Sequence, residues 1–235
     1  MRYLYLIAFT TLYFSCNTKK QTSSNELLKQ MMQLKDPMEA YVPDSLKYLI
    51  PILDTVFVTD QEYRYGMNQR TGKDSMKMMQ EFVNHLKEIN ATTAKNIKIV
   101  SEILDKYGWL GFKDVGMRGS LAIFYVIQHA DLKTQEKFLP LIKTAVAQKK
   151  AAPPQYAMLY DRIELRNHRP QMYGTQVGDK EVEPLLSPDS VDSWRKSIGM
   201  DSLKYYLKGF KLQWNKEEYK KVLPELKKKY KVLDF

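Results

Sequence analysis

The chain has one cysteine, Cys16, and three histidines, His85, His129 and His168, in 235 residues. A single thiol excludes an intramolecular disulfide and any metal site built from cysteines. No two histidines stand at helical ligand spacing, so no metal is expected. A glycine-rich phosphate loop, a serine nucleophile elbow and a deaminase pattern are also missing, and no cofactor is expected. Ten glycines and ten prolines are too few for a low-complexity chain. No apolar run is long enough to span a bilayer as a helix.

What is present is core-forming material. Hydrophobic residues make up 44% of the chain and aromatic residues 12%, enough for one well-buried domain with appendages but not for two large ones. The formal charge is +10, which raises the question of an anionic partner. Much of the excess lies in the last 35 residues, which carry lysine and no arginine. Lysine alone is a poor bidentate phosphate reader, so this tail reads as a solvated face; docking on anionic lipid is the rival reading.

Arg2 is followed by an apolar stretch from Tyr3 to Phe14, the length of a signal-peptide core, closed by Ser15-Cys16. A small residue before a cysteine at the end of such a core resembles the cleavage site of bacterial lipoproteins, although Tyr13 and Phe14 depart from the usual pattern there. The resemblance implies lipidation at Cys16, a membrane partner through that anchor, and a folded part outside the cytoplasm. The expected localisation is the cell envelope, at the periplasmic face or outer membrane, with no nucleic acid as partner. Residues 1–16 would be the signal peptide and 17–24 a polar tether.

The remainder reads as a mainly α-helical single domain over 25–207 with one small β-hairpin near 170–186, followed by a basic helical tail over 208–235. Helices are expected over 25–35, from Leu46 to Leu53 with Pro51 as a kink or a restart, from Asp74 to Ile89, and from Thr92 to a cap at Gly108. Gly119 to Ala130 is apolar nearly all round, which predicts a buried helix. Asp131 should cap the next helix, and Pro153-Pro154 open another with Tyr156, Leu159, Tyr160 and Ile163 on its core stripe. The strand of the hairpin starts at Gln171. Gly174 in mid-strand predicts a bulge or a close approach by something bulky.

Three clusters carry candidate chemistry: Gln128-His129-Ala130-Asp131, Asp161-Arg162, and Arg169 through Gln176. Imidazole exchanges protons near neutral pH without help, which makes His129 the leading candidate acid or base. Asp161 falls in mid-helix beside an apolar stripe and is the candidate to orient His129 or act with it. Gln128, Asp131, Arg162, Arg169, Gln171, Tyr173, Thr175 and Gln176 are candidates for binding a polar or anionic substrate. Each has a plainer explanation: a core histidine, a helix cap, a buried ion pair, and glutamines bonding backbone groups of an edge hairpin.

Taken in order, Asp60-Gln61 with Tyr63-Arg64, Tyr107-Gly108-Trp109, Gln128-His129-Ala130-Asp131, Asp161-Arg162, Pro170-Gln171 with Tyr173-Gly174-Thr175-Gln176, and Trp194-Arg195 through Gly199-Met200 resemble an uncharacterised bacterial family, a domain of unknown function. That family is met in soluble bacterial proteins and in lipoproteins of the Bacteroidota. The resemblance runs from about Ser45 to Leu207. Family members often carry proline after the Gly-Trp pair and a second arginine at the place of Trp194; Leu110 and Trp194 depart from this. The resemblance implies a domain and brings no activity with it. The expectation is a cell-envelope lipoprotein, a hydrolase or lyase acting through His129 and Asp161; the alternative is a non-catalytic module binding a small molecule or an envelope component through the same residues.

Overall fold

The computed structural model describes residues 34–66, 75–178 and 181–233. The signal peptide, Cys16, the tether, nearly all of the helix expected over 25–35 and the loop before Ser75 lie outside the described residues. The described chain is helical, with eight α-helices and two 3-10 turns, Glu39–Tyr41 and Asp44–Leu46. It divides into two compact units. One is built on Lys20–Thr134 with Ala147–Lys150, the other on Gln135–Val146 with Ala151–Phe235.

The N-terminal unit contains α1 (Leu49–Gly66), α2 (Ser75–Tyr107) and α3 (Phe112–His129). Pro51 sits in the first turn of α1, where its missing N–H leaves no helical bond unmade. Of the two readings of Pro51 the restart is the one seen, and α1 runs on through Asp60 and Gln61. Two helices were expected between Asp74 and Tyr107, yet α2 is continuous. Asn90 to Thr93 holds no glycine or proline, and the propensity cost of Asn and Thr is only tenths of a kcal/mol each, which packing overrides. The chain leaves α2 at Gly108, whose φ of +71° closes the helix as expected.

Helix α3 buries Ala122, Ile123, Phe124, Val126 and Ile127 against Leu53, Val56 and Phe57 of α1 and Val100, Ile103 and Leu104 of α2. From Gly119 to Ile127 its sequence is apolar nearly all round, so burial of this stretch follows. Arg118 ties α3 to α1 and to the chain before it: its guanidinium donates to both Asp54 carboxylate oxygens in α1, and to Glu39 and the Leu34 carbonyl ahead of α1.

The C-terminal unit contains most of α4 (Leu132–Ala147), then α5 (Pro153–Arg166), α6 (Val191–Ser197), α7 (Leu203–Lys208) and α8 (Lys216–Lys229). Its core gathers Val182, Leu185, Val191, Leu203, Leu207, Tyr219 and Leu226. Two of those seven belong to α8, so the basic tail is seated in this unit. The Tyr219 hydroxyl accepts from Leu185 N and donates to the Glu183 carbonyl, each at 3.0 Å. The lysines face outward and pair with Asp189, Glu217, Glu218 and Glu181.

No strand ladder occurs among the described residues, so the hairpin expected near 170–186 is not shown, and residues 179–180 of its turn lie outside the described residues. Gln171 and Leu185 make an isolated parallel bridge, and Val177 and Val182 an isolated antiparallel one. The physical reason is local. Gly174 takes φ +65°, and a Cβ there would lie 3.0 Å from Leu203 Cδ1 and 3.2 Å from Leu185 Cδ2. The segment is bent under two leucines, and side chains take over the bonds that a ladder would have made.

Candidate functional site

His129 ends α3, and its Nδ1 lies 3.3 Å from Asp60 Oδ2 in α1. The Asp60 side chain is only 2% exposed while His129 keeps 21%. The imidazole thus reaches the surface with a buried carboxylate behind it. Gln61 Nε2 donates to the same Asp60 oxygen at 2.9 Å, and the Tyr125 ring stacks on the imidazole at 6.2 Å and 16°. Tyr125 is itself packed on Phe57 and Phe124. The ring is stacked on one face and has a carboxylate at ion-pair distance from Nδ1, which favours a proton on that nitrogen.

The sequence offered Asp161 to orient His129 or to act with it; within the N-terminal unit the carboxylate at ion-pair distance from His129 is that of Asp60. Asp60-Gln61 stood in the motif series, but nothing in its spacing announced contact with a residue almost seventy positions away. Of the neighbours expected around His129, Gln128 is buried in the last turn of α3. Asp131 caps α4, accepting from Thr134 N at 3.0 Å and Thr134 Oγ1 at 2.7 Å. Those two bonds hold its carboxyl below the usual range.

Asp161 lies wholly out of solvent in the C-terminal unit. Its Oδ1 accepts from Met172 N at 2.9 Å and Tyr173 N at 3.0 Å; its Oδ2 accepts from Thr175 N and Thr175 Oγ1, both at 2.9 Å. Four donors fill the acceptor sites of a carboxylate. Burial pushes this carboxyl up to about 6, against the downward pull of those donors. The geometry is that of an anchor for the bent segment.

Gln171, also fully buried, does the same from the other side. Its Nε2 donates to the carbonyls of Gln176 and Glu183, and its Oε1 accepts from Gln176 N. Gln176 in turn donates to the Met158 carbonyl and to Thr175 Oγ1. Arg169 forms a two-pronged pair with Glu164, at 2.8 and 2.7 Å. Tyr173 presents its ring edge to Tyr160 at 6.0 Å, and burial raises both phenols. The plainer expectation for the glutamines, bonding of backbone groups, is what is found.

A further buried cation belongs to this frame and was overlooked as such. Arg195, 1% exposed, donates Nη1 to the Tyr173 carbonyl and Nε to the Asp201 carbonyl, with its guanidinium 4.8 Å from the Tyr206 ring. Desolvation lowers its pKa. Trp194-Arg195 was in the motif series, but no residue type marks a cation whose partners are carbonyls.

Arg162 and Gln176 do meet in space. With Leu165, Arg166, Glu183 and Tyr230 they line a cleft of about 250 Å³ in the C-terminal unit. The candidate residues therefore fall into two groups, each internal to its own unit: the His129–Asp60 pair, and the Asp161 anchor with the neighbouring cleft.

A model of a family of unknown function, DUF6624, matches residues 52–215. The chain belongs to DUF6624. The DUF6624 region holds His129, Asp60 and every candidate binding residue, leaves Cys16 outside, and stops one residue short of α8. No curated protein and no solved structure matches the chain significantly. Among the described residues, no three His, Cys, Asp or Glu side chains are grouped to hold a metal ion, and no helix is long and apolar enough to cross a membrane.

Proposed function

We propose that this chain is a lipid-anchored protein of the cell envelope in which His129 carries proton transfer, in the manner of a hydrolase or lyase acting on a polar or anionic substrate. The observation behind this reading is the 3.3 Å approach of His129 Nδ1 to a buried Asp60 carboxylate. A carboxylate at ion-pair distance from Nδ1 favours the proton on that nitrogen, which leaves Nε2 as the basic atom, and it stabilises the imidazolium that forms. Asp60 takes the orienting role in this proposal, while Asp161 serves as anchor. The envelope location rests on the apolar Tyr3 to Phe14 stretch ending at Ser15-Cys16.

The rival proposal is a non-catalytic envelope module. It is favoured by the Asp161 frame, whose members spend their hydrogen bonds on one another. Turnover separates the two. The full chain and His129→Gln would be screened side by side against chromogenic carboxylate esters, phosphate esters and glycosides. Activity reduced about 100-fold or more in His129→Gln supports the enzyme; turnover that survives the substitution, or no turnover with any probe, removes it. Radiolabelled palmitate incorporation that is lost in Cys16→Ser supports the anchor, and labelling that persists sinks it.

A further inference from the structure

The cleft of the C-terminal unit carries chemistry that the His129 proposal does not use. Arg162 and Arg166 stand at i and i+4 on α5, so their side chains leave the helix on one face. Both line the cleft, with Leu165 between them, and Glu183, Gln176 and Tyr230 form the other walls. Its volume, about 250 Å³, is that of roughly eight water molecules. It is smaller than the pockets that take drug-sized ligands.

The walls state what would fit. Guanidinium is a planar fork matched to a carboxylate. Glu183 is half-buried, and burial raises its carboxyl while Arg162 pulls it back down. A ligand hydroxyl or ammonium donating to Glu183 would relieve that desolvation. The walls hold two guanidiniums and one carboxylate, with Arg166 Nη1 also donating to Gln135 Oε1 at 2.9 Å. A ligand carboxylate can share these cations, while a phosphate dianion would press on Glu183. We propose that this cleft binds a small carboxylate bearing a hydrogen-bond donor, a hydroxy acid or amino acid of about ten heavy atoms or fewer.

The chain's own C-terminal segment sets one wall. Tyr230 lies beyond residue 215, where the family region ends. It is fixed there by its hydroxyl donating to Glu181, by the Lys229–Glu181 pair, and by Leu233 N donating to the His168 carbonyl. Gly178 makes room for it: a Cβ at that position would lie 2.7 Å from the Tyr230 hydroxyl. The segment therefore acts as a specificity element of the cleft, limiting the size of what enters.

Titration calorimetry of the full chain with L-lactate, L-serine, acetate and inorganic phosphate tests this. L-lactate or L-serine should bind, and acetate, lacking the donor, should bind about fivefold or more weakly, near the loss of one hydrogen bond. Arg162→Gln should weaken the binding about tenfold or more, the scale of a charge-assisted contact. Arg166→Gln supplies the same readout if Arg162→Gln fails to fold, judged by circular dichroism. Tyr230→Ala should admit a larger hydroxy acid, DL-mandelate, that the parent chain excludes. Binding that survives both arginine substitutions overturns the proposal, as does phosphate binding more tightly than either donor-bearing acid, or no binding by any probe.

Discussion

Replacing Asp161 with alanine should destabilise the chain by several kcal/mol, and the figure can be built from its four bonds. Removal of the carboxylate leaves Met172 N, Tyr173 N and Thr175 N without their acceptor in a site closed to solvent. Thr175 Oγ1 retains Gln176 Nε2 as a partner. Each orphaned buried N–H costs about 1–3 kcal/mol, and water entering the vacated space recovers part of it. The net loss is then about 3–6 kcal/mol, a large share of a typical stability of about 5–15 kcal/mol. Asp161→Asn should cost less, about 2 kcal/mol, because Oδ1 still serves Met172 and Tyr173 while the amide faces Thr175 N with the wrong polarity. The assay is urea unfolding followed by circular dichroism, with the midpoint shift read at constant m-value. A loss under about 1 kcal/mol for the alanine variant, or an asparagine variant worse than alanine, would refute the anchoring role.

Two further outcomes follow from the same unit. Asp161 has an ordinary value of 3.8 and is pushed up to about 6 in the fold, so between these values the folded chain holds a proton that the unfolded chain has lost. Stability should therefore fall as pH rises from about 4 to about 6, by up to about 3 kcal/mol, and Asp161→Asn should flatten that slope; urea midpoints at pH 4, 5, 6 and 7 read it directly, and a slope of the opposite sign contradicts it. Tyr219→Phe removes the partner of Leu185 N, an expected loss of about 1–3 kcal/mol or several degrees of melting. An unchanged melting temperature would mean that α8 is not held where it is described.

Much of the helical framework could be read from the sequence, because the signals concerned are local. The unbroken apolar run from Leu121 to Ile127 could only be a buried helix, and Gly108 and Asp131 stand at the caps their chemistry favours. Gly174 announced a close approach, and Leu203 and Leu185 supply it. The anchor was not legible for a definite reason: three of the four donors to Asp161 are backbone N–H groups, which every residue except proline carries, so no side chain marks them. The pairing of His129 with Asp60 was hidden because it depends on how α1 packs against α3. No ladder accompanies the alternation at Gln171, Tyr173 and Thr175, because the Gln171 side chain bonds the backbone of the segment itself.

The His129–Asp60 pair is the centre of the functional proposal, and melting of the full-length Asp60→Asn, His129→Gln and double variants tests it most directly. Functional groups are retained at some cost to the fold, and Asn keeps the shape of Asp60 while removing its buried charge. Unchanged or raised melting temperatures in both single variants are expected. A fall of several degrees in each, with the double variant losing no more than one single, would make the two a structural pair and contradict the assignment of His129 as the proton-transfer residue.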